Sequence, residues 1–172
     1  MSKHSKMPHS PGGYHPWSTY IAAREEARRR GDRRVGTEHL LVALLNDPVL
    51  ASVVGSDAEH ARSALEAMDN RALVAIGMDA PPVVPPLPAG DPRDVPARPT
   101  IRTVLHKRLR LTPCAAKVLR ESSRGMRRGT PHPGPQHVLA EILELQAPDP
   151  AADLLATLGV QSAAVRERLA DV

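Results

Sequence analysis

The chain has one cysteine, no phenylalanine and, in 172 residues, only one tryptophan and two tyrosines. The lone Cys114 rules out an internal disulfide framework and any zinc or iron–sulfur site built from several cysteines, which fits a reducing, cytoplasmic setting. Tyr14, Trp17 and Tyr20 are too few rings to stack on the bases of a single-stranded nucleic acid. No apolar run approaches the roughly 20 residues that span a bilayer. Residues 1–16 carry Lys, His, Pro and Gly where a secretion signal would carry an apolar stretch, and read as a disordered tail. No G-x-x-x-x-G-K-[ST] string occurs, so no phosphate-cradling loop is expected. A nucleophile with a recognisable base is also missing, and His4, His9, His15, His132 and His137 lack metal-site spacing. Neither an enzymatic activity, a metal nor a cofactor is expected.

What is present is a globular composition, 41% hydrophobic and 24% charged, whose core has to come from Leu, Val, Ile, Ala and Met. The net charge of +4 hides an alternation of basic and acidic blocks, with nine basic residues against one acid in 100–130. Arg28, Arg29, Arg30, Arg33 and Arg34 close one candidate helix and Arg120, Arg124, Arg127 and Arg128 close another, where cations complement the negative end of the helix dipole. Such blocks also suit an acidic or phosphorylated partner. Eight of the nineteen residues in 81–99 are Pro, which excludes helix interiors and marks an extended linker.

The segments on either side of that linker repeat one another. At a shift of 98 residues Gly31, Gly36 and His39 fall on Gly129, Gly134 and His137, while Leu41 and Leu45 fall on Leu139 and Leu143. At a shift of 104 Leu50, Gly55 and Leu65 fall on Leu154, Gly159 and Leu169. Each repeat reads as four short helices. The first helix of repeat 1 runs from Trp17 to Arg30 with Trp17, Tyr20, Ile21, Ala23 and Ala27 on one face. Its counterpart opens on Thr112 and Pro113, an N-cap and a first-turn Pro, and buries Ala115, Val118, Leu119 and Met126. The second helix follows Gly36. The third starts at Asp47-Pro48 or Asp149-Pro150 and stops at Gly55 or Gly159; the fourth of repeat 1 starts at Ser56 with Glu59 in capping-box register. Strand alternation is absent. The expectation is an all-α fold, a pseudo-twofold bundle of two tandem four-helix repeats, 17–76 and 100–172, forming one domain over 17–172.

Glu25 to Leu45, with its G-T-E-H-L-L string, resembles the first repeat of the amino-terminal domain of Clp unfoldases, and Leu111 to Leu119 with Gly134 to Leu143 resembles the second. The resemblance implies a rigid receptor domain without its motor. Such a domain binds protein substrates, adaptors, protease components or small peptide-like ligands, acts in proteolysis as adaptor or decoy, and in one branch of the family recognises phosphorylated arginine. By resemblance the ligand-binding residues are Thr37 and Glu38 in repeat 1, and Leu111, Thr112, Ala116 and Gln136 in repeat 2. The Thr37 hydroxyl would donate to phosphate at a helix N-terminus and Glu38 would take the guanidinium. Both residues also have plain structural uses, as an N-cap and as a first-turn acid. Repeat 2 has Pro135 and Gln136 at these positions, Leu111 where the family has Phe and Ala116 where it has Lys, so a single phosphoarginine site is expected. His39, His137 and Cys114 read as packed structural residues. The alternative function is nucleic-acid binding through the basic 100–130 segment.

A half of about 60 residues holds too little apolar surface to fold alone, so the two halves should share a core. Limited proteolysis is expected to cut between Pro81 and Arg98 and to leave the fragments associated; fragments that separate as folded halves would contradict a shared core.

Overall fold

The computed structural model describes residues 14, 16–78, 109–127 and 134–170. The linker at 81–99 lies outside them, as do residues 1–13 and 15 of the tail and the segment 100–108. The described chain is predominantly helical. Helices α1 (Pro16–Arg30), α2 (Thr37–Leu44), α3 (Pro48–Val54) and α4 (Ala58–Ala75) precede the linker. Helices α5 (Pro113–Arg127), α6 (Gln136–Leu143), α7 (Pro150–Thr157) and α8 (Ser162–Ala170) follow it. Two dipeptide strands, β1 (Arg34–Val35) and β2 (Arg110–Leu111), pair in parallel, Arg34 opposite Arg110 and Val35 opposite Leu111. This corrects the strand-free expectation: two residues are too few to show a period of two in sequence.

Helix boundaries follow local chemistry. The Asp47 carboxylate accepts from the Val49 and Leu50 amides at 2.8 and 3.4 Å, and Asp149 accepts from the Ala151 amide at 3.0 Å, each with Pro in the first turn. Gly55 (φ 83°) and Gly159 (φ 69°) take the left-handed conformation that ends α3 and follows α7. The cap of α4 is Asp57, one residue later than expected, its carboxylate taking the His60 amide at 2.8 Å. Ser56 is buried instead and its hydroxyl lies 3.3 Å from the His60 ring.

Leu40, Leu41, Leu44 and Leu45 of the first half and Val138, Leu139, Ile142 and Leu143 of the second are all buried, joined by Leu50, Leu154 and Leu155 in one core that spans both halves. Helix α1 departs from expectation. Its inner stripe is Thr19, Tyr20, Ala23, Glu26 and Ala27, while Trp17 and Ile21 are 43% and 44% exposed. The helix can turn polar residues inward because each has a partner. The Thr19 hydroxyl meets that of Tyr14, and the Glu26 carboxylate receives Arg62 through two hydrogen bonds of 2.8 and 3.0 Å. Ala115, Val118 and Leu119 of α5 are buried as expected; the side chain of Met126 lies outside the description.

Burial acts to raise the Glu26 carboxyl, but the hydrogen bonds and charge of Arg62 outweigh it, and the group sits below its ordinary 4.5. A carboxyl lowered in the folded state adds stability that is complete above that ordinary value and is lost as the pH falls through the lower folded value. Glu26→Gln, which weakens two charge-assisted hydrogen bonds, should cost about 2 kcal/mol at neutral pH and flatten the acid limb of the stability profile. Thermal denaturation across the acid range checks both effects.

Candidate functional site

Three helix starts converge where the halves meet. Thr37 opens α2, Cys114 sits in the first turn of α5, and Asp149 caps α7. The buried Thr37 hydroxyl donates to Asp149 Oδ1 at 2.7 Å, an oxygen that also accepts from the Ala151 amide, and the same carboxylate acts on the nearby Cys114 thiol. Beside this junction the Thr112 amide donates to the Val35 carbonyl at 2.9 Å, and the Thr112 hydroxyl accepts from the Ala115 amide at 3.3 Å, capping α5 as expected. The Tyr20 hydroxyl makes a further bond between halves, to the Leu109 carbonyl at 2.8 Å.

An open cleft of about 440 Å³ lies next to it. Glu38 and Thr112 line the cleft, together with Arg30, Arg33, Arg34 and Asp69. Arg30 is spent on Asp32 and Asp69, at 3.0 and 2.8 Å. Arg33 and Arg34 are exposed and form no ion pair among the described residues. The Glu38 carboxylate folds back over Gly36, where a Cβ would collide with it. Its Oε1 lies 2.8 Å from His39 Nδ1, while Oε2 is closed off from solvent with no hydrogen-bond partner. His39 is buried, its Nδ1 reached by the Gly36 amide at 3.1 Å and its Nε2 2.9 Å from Asp32 Oδ2. His39 thus satisfies a helix-start amide in the way a capping-box Glu does.

A smaller cleft of about 270 Å³ lies on the second half, lined by Gln136, His137, Ala140, Arg166, Leu169 and Ala170. Its Gln136, His137 and Leu169 are the positions that the repeat places opposite Glu38, His39 and Leu65 of the first cleft. The Gln136 amide overlies Gly134 as Glu38 overlies Gly36, and the Gly134 amide approaches His137 Nδ1 at 3.4 Å. Arg166 at the rim pairs with Glu144.

Of the residues singled out in sequence, the fold brings Glu38 and Thr112 together in the first cleft and places Gln136 in the second. Thr37 is buried with its hydroxyl already engaged. Leu111 and Ala116 are half-buried, on β2 and in the first turn of α5, and line neither cleft. Sequence reasoning did not single out Arg33 and Arg34 as lining residues, because they read as the tail of a dipole-compatible basic run. It also missed the contact of Asp149 with Thr37, although the unequal pair Thr37 and Pro135 was a signal that the halves differ there. Among the described residues no group of three or more His, Cys, Asp or Glu could hold a metal ion, and no single helix is long and apolar enough to cross a membrane.

No protein-family model and no curated protein matches this chain.

A thiol at a helix start is usually acidified by the dipole. Here burial, and then the Asp149 carboxylate, push Cys114 up from 9.0 to about 11. Two units leave about a hundredfold less thiolate at neutral or mildly alkaline pH. Alkylation by iodoacetamide should be slower than that of a free thiol by about that factor, and Asp149→Asn should speed it. A rate equal to that of a free thiol would contradict the contact.

Proposed function

We propose that the chain is a non-catalytic binding module of the kind carried at the amino terminus of Clp unfoldases, built as two four-helix repeats about a pseudo-twofold axis. It would act as an adaptor or decoy in proteolysis, taking protein substrates, adaptors or protease components. Its ligand is phosphorylated arginine on a protein, held in the first cleft. Support for the repeat reading comes from equivalent features in the two halves: the Asp-Pro helix starts, the left-handed glycines, and a Gly-to-His contact beside each cleft.

One observation carries the ligand reading. Glu38, one of whose carboxylate oxygens is closed off and without a partner, lines a cleft that also holds two arginines without ion pairs among the described residues, Arg33 and Arg34. Phosphoarginine has the matching pattern, guanidinium N–H donors for the carboxylate and a phosphate for the arginines. The Thr37 hydroxyl, committed to Asp149, leaves the phosphate to Arg33 and Arg34. The second cleft has an uncharged Gln136 in place of the carboxylate, so a guanidinium there would meet a neutral acceptor and no opposite charge.

Calorimetric titration should show one site for free phosphoarginine and weaker binding of unmodified arginine. Glu38→Ala should weaken phosphoarginine by about tenfold to a hundredfold, the loss of one charge-assisted hydrogen-bonded pair. Gln136→Ala should change little, and Pro135→Thr with Gln136→Glu should create or strengthen a second site. Equal sites in the unmodified protein, or indifference to Glu38→Ala, would overturn the reading. Duplex DNA binding with a steep salt dependence would favour the nucleic-acid alternative instead.

A further inference from the structure

The seam between the halves sets two like charges side by side. Arg34 of β1 and Arg110 of β2 are register partners in the parallel ladder, so their Cα atoms stand about 4.8 Å apart and their side chains leave the same face. That face is the outer one, because Val35 is buried and Leu111 half-buried while Arg34 and Arg110 are exposed. Arg33, next in the chain, is exposed as well. None of these three arginines forms an ion pair among the described residues. Of the three acids that line the adjoining cleft, Asp32 and Asp69 are both held by Arg30, and Glu38 is the third. Like charges placed directly opposite in a ladder destabilise it, and here they stand where one half meets the other.

We propose that Arg110 joins Arg33 and Arg34 in a seat for a phosphate dianion that spans the two halves. Arg33 and Arg34 line the cleft, and the ladder register sets Arg110 beside Arg34 at its edge. A phosphate group presents three acceptor oxygens and close to two negative charges, which guanidinium forks bind through charge-assisted N–H···O bonds. Seated there, it replaces the repulsion between Arg34 and Arg110 by the attraction of both to one centre. Because Arg34 belongs to the first half and Arg110 to the second, the same ligand ties the halves together across β1 and β2. The inference deepens the functional reading above: it rests on that reading for what carries the phosphate, and not for the phosphate itself. Glu38 acts in opposite senses on the two forms of ligand, since its carboxylate attracts a guanidinium and repels a bare phosphate.

The test is calorimetric titration and thermal denaturation of the full chain with inorganic phosphate, against sodium chloride at matched ionic strength, which screens the arginines without bridging them. Phosphate should bind at one site and raise the melting temperature further than chloride does. Arg110→Gln and Arg34→Gln should each weaken phosphate by about tenfold or more and lose most of that rise. Arg120→Gln, at an exposed position of α5 away from the ladder, should change neither. A phosphate effect no larger than that of chloride, or an unchanged phosphate affinity in Arg110→Gln, would overturn the inference. Glu38→Ala separates the seat from the functional reading, because it should weaken phosphoarginine yet leave inorganic phosphate bound at least as tightly. Phosphate binding that needs Arg110 with no preference for phosphoarginine would count against the functional reading alone. Phosphoarginine binding that ignores Arg110 would count against the seat alone.

Discussion

The carboxylate of Asp149 is the point on which the arrangement turns. Three helices begin around it, and each start presents unpaired amides and the positive end of a dipole. Brought together without a negative charge, these ends would repel and leave donors unpaired. One acid accepts from its own helix and from the Thr37 hydroxyl at the start of α2, and its charge bears on the Cys114 thiol at the start of α5. The parallel pairing of β1 with β2 and the Thr112 amide on the Val35 carbonyl continue the same seam. The two halves are thereby held in the register that lets their leucines form one core.

That junction is not symmetric, and the asymmetry reaches the clefts. The partner of Thr37 in the other half is Pro135, which has no hydroxyl and no amide proton to offer. The first half therefore gives its helix-start hydroxyl to the second, and gets none in return. Next to that difference stand Glu38 on one side and Gln136 on the other, each folded over a glycine that leaves room for it. Glu38 carries a charge where Gln136 has none, and the buried His39 ring lies 2.8 Å from it. Similar backbones thus present different chemistry to a ligand.

Much of the helical pattern could be read directly. Asp-Pro starts, glycine stops and the apolar spacing of Leu40, Leu41, Leu44 and Leu45 specify helices through interactions within a few residues of each other. The face of α1 could not be read so. Trp17 and Ile21 look like core by hydrophobicity, whereas Glu26 is buried because Arg62, thirty-six residues on, neutralises it. Arg33 and Arg34 looked like the end of a basic run, and only the placement of α4 and Thr112 opposite them makes a cleft.

The sequence by itself determined the helices, their caps, the composition of the core and the difference between Thr37-Glu38 and Pro135-Gln136, because each of these depends on residue type and short spacing. Only the tertiary structure decided that the Thr37 hydroxyl is spent on Asp149 and that Cys114 is made less acidic at a helix start. Both outcomes depend on close approach between atoms of segments far apart in the chain, which spacing along a sequence does not encode.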